Sequence, residues 1–313
     1  MLSRRNIRIK VLQQLYALTQ QEAPSVPFFL NQLNAQFKYL YQFYYFQLQF
    51  LSDFNIYLES EKHIELEKYF PNKALIRNTQ CIERLSFFSA LESDAKFAEL
   101  STSLPYSWLN YGELFNRIFN DLVQYDFFID YNVFDTPNEA QQKEFLTNLY
   151  EFLFNEFELF ESEMEDTYIL WNDDCADILK AIVKTIDTFY DQEKLKLEAI
   201  SEKQADDFKY GTQLLEKCVV DKESLDTLIA SHSPNWDADR LTLTDMLMLR
   251  MAVCEFLNFE TIPPKVTINE YLDIAKNYST PKSHLFLNGV LDKIRIVLTE
   301  SGKIKKTGRG LVN

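Results

Sequence analysis

The chain offers few positions for tight turns, with only 6 glycines and 9 prolines among its 313 residues. Folds built from many short strands need turn residues at short intervals, so this scarcity favours helices. Apolar residues recur every three or four positions along residues 33–51, 145–160 and 178–189. That spacing is typical of helices with one buried face. We therefore predict an all-α chain whose helices cover one another's apolar faces.

The apolar content is high enough for a large core. Hydrophobic residues make up 46% of the chain, and the 26 phenylalanines and 17 tyrosines predict thick aromatic cores. The most aromatic segment, residues 39–57, is interrupted by polar side chains and is too polar to span a bilayer. The first residues carry charge without the apolar core of a signal peptide behind them. We therefore expect a cytoplasmic protein that does not enter a membrane.

The residues that most often build metal or catalytic sites are scattered. The four cysteines include no CxxC pair, and the three histidines lie far from them and from one another. The sequence contains no glycine-rich phosphate loop, no GxSxG and no HExxH. We therefore expect no metal, no cofactor and no enzymatic activity.

The net charge of −15 argues against a nucleic-acid partner, but the charge is unevenly distributed. Residues 1–20 carry four cations and no acid, and residues 293–313 carry six cations and one acid. Residues 130–174, by contrast, carry 13 acids and one base. Basic ends therefore flank an acidic middle, and the sign of each part matters more than the total.

Residues 264–293 predict two helices joined by a short turn. Thr280 is expected to cap the second helix, with Pro281 at its first position. Leu285 is expected on the buried face of that helix. Gly289 lies within the helix, where it costs about 1 kcal/mol relative to alanine. We therefore expect a neighbouring helix or a ligand to approach the backbone at Gly289.

This segment resembles the C-terminal signature of the NusB transcription antitermination factors. Their pattern is K-V-x-I-N-E, then A-K, then S-x-x-F-x-N-G-x-L-D-K. The start of the chain is similar to the family's arginine-rich first helix, patterned R-R-x-x-R-x-x-x-x-Q-x-L-Y. The matching positions are Arg4, Arg5, Arg8, Gln13, Leu15, Tyr16, Lys265, Val266, Ile268, Asn269, Glu270, Ala275, Lys276, Ser283, Phe286, Asn288, Gly289, Leu291, Asp292 and Lys293.

The resemblance covers residues 1–20 and about 206–298, roughly a third of the chain. It implies an all-α, NusB-like helical bundle with an additional inserted helical subdomain. The tail carries several cations and is expected to be disordered. The expected divisions are a first helix at 1–23, the inserted subdomain at 24–200, the NusB-like helical domain at 201–300 and the basic tail at 301–313.

The resemblance also implies that the chain binds RNA. Arginines in the first turns of a helix oppose its dipole, which indicates either an external anion or an acid-paired face. Tyr16 and Phe286 are the aromatic candidates. Aromatic side chains stack on unpaired bases, although core packing is an equally good alternative for both residues. The expected RNA-binding residues are Arg4, Arg5, Arg8, Lys10, Tyr16, Lys282, Ser283, Phe286, Asn288 and Lys293.

The implied partners are those of the family. They are the boxA element of the ribosomal RNA leader, the ribosomal protein that acts as NusE, and the transcription elongation complex with RNA polymerase. Asp239 and Asp245 correspond to the acidic protein-binding positions. Capping of a helix N-terminus is the alternative role for both carboxylates.

Two other classes of function remain open. The chain could be a helical protein-interaction scaffold whose working surface is the acidic segment. It could also be the RNA-binding part of a ribosomal RNA modification system. The scarcity of glycines argues against the second, because a cofactor domain of that kind needs a glycine-rich turn after a strand.

Overall fold

The computed structural model describes residues 3–23, 25–199, 202–232 and 242–311. Within these ranges the chain is helical without any strand, which confirms the predicted all-α class. The chain divides into two compact units. Residues 38–199 form the central unit, and residues 2–37 together with 200–313 form the terminal unit.

The central unit holds most of a very long helix and eight shorter ones among the described residues. The ladder predicted over residues 145–160 is interrupted, because one helix ends at Asn155 and the next begins at Glu158. The helices are α2 (Val26–Leu66), α3 (Lys73–Asn78), α4 (Ser86–Glu92), α5 (Ala95–Thr102), α6 (Gly112–Leu122), α7 (Asp126–Val133), α8 (Glu139–Asn155), α9 (Glu158–Thr167) and α10 (Trp171–Gln192).

The aromatic content of the sequence accounts for the core of the central unit. Trp108 is 1% exposed, and its ring stacks on Phe46 at a centroid distance of 4.3 Å. Its indole nitrogen donates to the Phe46 carbonyl over 2.8 Å, so the one polar atom of the side chain is satisfied. The rings of Phe50 and Phe115 complete this aromatic cluster.

The terminal unit contains the segments that carry the resemblance. Ser3 caps its first helix by accepting a hydrogen bond from the amide of Asn6, as expected for a serine at this position. The helices are α1 (Arg4–Thr19), α11 (Glu202–Val220), α12 (Lys222–His232), α13 (Leu243–Asn258), α14 (Pro264–Tyr278) and α15 (Ser283–Glu300), followed by a 3₁₀ turn at Gly308–Leu311. The first helix packs on α11, α13 and α14, and α15 packs on α14, α13 and α12.

The start of α2 belongs to the terminal unit, so the division falls after residue 37 and not at residue 24. Phe37 stacks on Phe208 of α11 at a centroid distance of 4.5 Å. A Cβ added to Gly211 of α11 would lie 2.7 Å from Ile7 and 3.1 Å from Phe37. This glycine therefore lets three helices meet closely.

The second half of the predicted helix pair begins later than expected. Lys282, not Thr280, is the N-cap of α15, and Pro281 precedes the helix. With this start, Phe286 and Leu287 face the core, and Leu285 is 66% exposed. Gly289 has nothing within 4 Å of an added Cβ, so the expected close approach within the protein is wrong.

The basic tail is ordered along the described residues 301–311, contrary to expectation. Lys306 donates to the carbonyls of Glu255 and Phe259 at the C-terminal end of α13, over 3.2 and 2.8 Å. The amide of Thr307 donates to the Glu260 carbonyl over 3.0 Å. A Cβ on Gly310 would lie 1.9 Å from that same carbonyl oxygen, so only glycine fits at this point.

The lysine of this tail contact predicts a pH dependence of stability. Burial lowers the pKa of Lys306 from 10.5 to about 8, although the charges of Glu255 and Glu260 oppose the shift. Between these two values the unfolded chain binds more protons, so stability rises with pH. After allowance for the half-exposed ammonium, we expect a rise of about 1 kcal/mol. Urea titrations from pH 7.5 to 10.5 should show this rise relative to a Lys306→Met variant; parallel profiles would contradict it.

In the part of the chain that the structure describes, no helix is both long and apolar enough to cross a membrane.

Candidate functional site

A buried carboxylate, Glu255, lies in the core of the terminal unit. It is 0% exposed and belongs to α13, whose neighbouring residues are almost all apolar. Arg8 of α1 binds it with two nitrogens, Nε to Oε1 at 2.7 Å and Nη2 to Oε2 at 2.9 Å. This two-point pairing is the strongest arrangement that a guanidinium and a carboxylate adopt.

Three hydroxyl groups complete the hydrogen bonding of Glu255. Tyr210 of α11 and Tyr271 of α14 donate to Oε1 over 2.6 and 2.7 Å, and Thr267 of α14 donates to Oε2 over 3.0 Å. Burial alone would raise the pKa of Glu255, but Arg8 and the two tyrosine hydroxyls reverse the shift and lower this pKa. Glu255 therefore stays ionised and joins four helices.

The structure corrects the expected role of two cations of α1. Arg8 is 2% exposed and Lys10 is 1% exposed, so neither side chain faces a ligand. Burial opposes the charge of Arg8, but Glu255 raises its pKa above the ordinary value. Arg8 is a core residue that holds helices together. Of the two alternatives that the sequence offered, it fits pairing with an acid, and the pair is buried.

The other two arginines of α1 are half exposed but also paired. Arg4 contacts Asp207 over 3.1 Å and lies over the ring of Tyr210. Arg5 donates to Glu270 over 3.0 Å and to Asp273 over 2.9 Å. Their charges are compensated on the surface, so this end of α1 is not a free cationic patch.

A different surface of the terminal unit does present free cations. Lys282, the N-cap of α15, and three residues of the helix itself, Asn288, Gly289 and Lys293, are all exposed. Neither lysine forms an ion pair within the described residues. The exposed glycine leaves the helix backbone uncovered beside them. We call these four residues the α15 face.

The two aromatic candidates differ in exposure. Tyr16 is 45% exposed near the end of α1, where its ring is accessible. Phe286 is 8% exposed and packs into the core, so stacking on a base does not fit its position. Leu285, which the sequence pattern placed in the core, lies exposed beside the α15 face instead.

Two further candidates, Ser283 and Asp245, bond to each other. Ser283 is 3% exposed and donates to Asp245 over 3.0 Å, and Ser279 donates to the other oxygen over 2.7 Å. Asp245 is 4% exposed and so ties the start of α13 to the turn before α15. This burial corrects its expected role as a direct protein contact; Asp239 lies outside the described residues.

One feature of the sequence could have indicated the buried network around Glu255. Glu255 interrupts a continuous apolar run in α13, and a lone acid at such a position needs a partner. Among the described residues no group of three or more metal-binding side chains comes together.

Comparison with known proteins adds a family. The family model described as "NusB family" matches residues 175–295. The transcription antitermination protein NusB of Salinibacter ruber is 43% identical over 103 residues, which are 33% of this chain and 64% of that protein. The protein of the same name from Chloroherpeton thalassium is 37% identical over 116 residues, which are 37% of this chain and 54% of that protein. The protein of the same name from Natranaerobius thermophilus is 33% identical over 102 residues, which are 33% of this chain and 73% of that protein.

The matches thus span less than two thirds of the first two of these relatives. No solved structure gives a significant match.

Proposed function

The chain belongs to the NusB family, and we propose that it acts as an RNA-binding transcription antitermination factor. The three relatives carry the name transcription antitermination protein, which supports this role. In this role the chain binds RNA and partners and catalyses no reaction. The proposal concerns the terminal unit, where most of the residues that match the family model lie.

The α15 face is the main structural support for this proposal. It places two unpaired lysines, an amide side chain and an uncovered backbone along the exposed part of α15 and its N-cap. Lysines neutralise phosphates, and an exposed glycine lets a nucleotide approach the backbone closely. An exposed mid-helix glycine costs about 1 kcal/mol and has no packing role here, so a ligand explains it better than the fold does.

In finer terms, we propose that the RNA is the boxA element of a ribosomal RNA leader. We propose that a ribosomal protein acting as NusE binds beside it and that the assembly joins the RNA polymerase elongation complex. Arg4, Arg5, Tyr16 and Lys282 supply contacts in this proposal. Asp239 remains the proposed acidic contact for the protein partner.

Reversing both lysine charges of the α15 face should weaken RNA binding by about tenfold or more. The double variant Lys282→Glu/Lys293→Glu removes two phosphate contacts and adds repulsion. For a single strand, each lost contact lowers the slope of log affinity against log salt by about 0.7. Fluorescence anisotropy with a boxA-containing leader RNA at several salt concentrations measures both quantities.

Lys217→Glu/Lys222→Glu is the matched control, because it makes the same charge change at the junction of α11 and α12. We expect this control to lose much less affinity and to keep the salt slope. Equal losses in the two double variants would mean that only the net charge matters, and the α15 face would be the wrong surface. Addition of the ribosomal protein should tighten RNA binding, and titrations without such coupling would count against NusE pairing.

A further inference from the structure

The central unit carries a large negative charge, which does not suit the RNA binding proposed for the terminal unit. Residues 38–199 carry 30 acidic and 13 basic residues, whereas the rest of the chain carries 17 acidic and 19 basic residues. A field of this sign repels phosphates and attracts cationic partners. The central unit is therefore suited to a cationic ligand.

One cleft between α7 and α8 combines acidic and aromatic side chains. Its volume is about 210 Å³. Asp130 of α7 and Glu144 of α8 line it together with the rings of Phe127 and Phe134. Asn148 adds an amide to the same lining. A cavity of this size accommodates one side chain and is smaller than the roughly 300 Å³ or more of typical small-molecule sites.

The two carboxylates of the cleft lack internal cations. Both are exposed, and neither forms an ion pair within the described residues. The neighbouring Lys143 is directed to Asp187 and Asp191 of α10, over 3.0 and 2.9 Å. The cleft therefore keeps two carboxylates without an ion pair at its edge.

The aromatic walls add a second kind of attraction for a cation. Phe134 is 41% exposed, so part of this residue is open to a ligand. Tyr131, another lining residue, already takes part in such an interaction: the guanidinium of Arg84, which is not itself a lining residue, lies 5.1 Å from the centroid of its ring. Aromatic faces attract cations, and planar guanidinium groups also stack on them.

We propose that this cleft binds an arginine side chain presented by a basic protein segment. A guanidinium can stack on the Phe134 ring and donate to Asp130 and Glu144 at the same time. The acidic surface around the cleft steers the basic segment towards it. The central unit is then a docking module for a basic protein, separate from the RNA-binding surface of the terminal unit.

The test is an NMR titration of the full chain with two peptides. One is a short, otherwise uncharged peptide with a central arginine, and the other carries the neutral isostere citrulline at that position. The arginine peptide should shift the amide signals of Gln141 and Asn148, and the citrulline peptide should not. Asp130→Asn and Glu144→Gln should each weaken binding of the arginine peptide about fivefold.

Glu151→Gln is the matched control, because it removes an exposed carboxylate from the same helix α8 outside the cleft. We expect it to leave peptide affinity within twofold of the parent chain. Equal weakening by Glu151→Gln would reduce the effect to net charge and overturn the site. Equal binding of the citrulline peptide, or cleft shifts produced by single-stranded RNA, would also overturn it.

Discussion

Replacement of Glu255 by alanine is expected to lower the free energy of unfolding of the terminal unit by about 3–5 kcal/mol. The substitution leaves the Arg8 guanidinium buried without a counter-charge. It also removes the acceptor of the Tyr210 and Tyr271 hydroxyls, both of which lie in the core. Urea unfolding followed by circular dichroism measures the loss.

Two controls separate this ion pair from charge effects at the surface. Arg4→Ala removes a half-exposed arginine from the same helix and should cost less than about 1 kcal/mol. The double variant Arg8→Met/Glu255→Leu should be less destabilised than the sum of its two single variants, because neither charge is left unpaired. Additive losses, or a small loss for Glu255→Ala, would contradict the network.

This network changes how the arginine-rich start of α1 is tested for RNA contacts. A variant with Arg4, Arg5 and Arg8 all changed to alanine would also destabilise the terminal unit through the loss of Arg8, so a drop in RNA binding would not report on the surface alone. Arg4 and Arg5 are half exposed, and their substitution leaves the Glu255 network in place. Loss of affinity in that double variant, with unchanged stability, would identify a direct contact.

The sequence predicted the helical class and the approximate positions of α1, α14 and α15, because apolar spacing is a local signal. It did not predict the burial of Arg8, since the partner Glu255 lies 247 residues away. An arginine looks the same in a sequence whether its acid partner is on a distant helix or its ligand is outside the protein.

The error over which side of α15 is buried has a different cause. Thr280–Pro281 is a good local start signal for a helix, but the observed helix begins at Ser283. Adjacent apolar residues such as Leu285 and Phe286 are both compatible with a buried face. The choice between them depends on contacts with α13 and α14, which no local pattern contains. The same contacts leave Gly289 at the surface.

Replacement of Trp108 by alanine is expected to cost the central unit about 3–5 kcal/mol. The residue is 1% exposed, and its removal leaves a large cavity beside Phe46, Phe50 and Phe115. The Phe46 carbonyl also loses a donor at 2.8 Å. Urea unfolding and amide hydrogen exchange of residues 43–50 measure the effect.

Graded variants at and beside this position identify the cause of that loss. Trp108→Phe keeps a ring against Phe46 and loses only the indole donor and part of the volume, so about 1–2 kcal/mol is expected. Leu109→Ala is the matched neighbour, since Leu109 is 85% exposed and should change stability by less than about 0.5 kcal/mol. Equal costs for Trp108→Ala and Trp108→Phe would assign the stability to the hydrogen bond and not to packing. Such an outcome would contradict an aromatic core as the main source of stability in this unit.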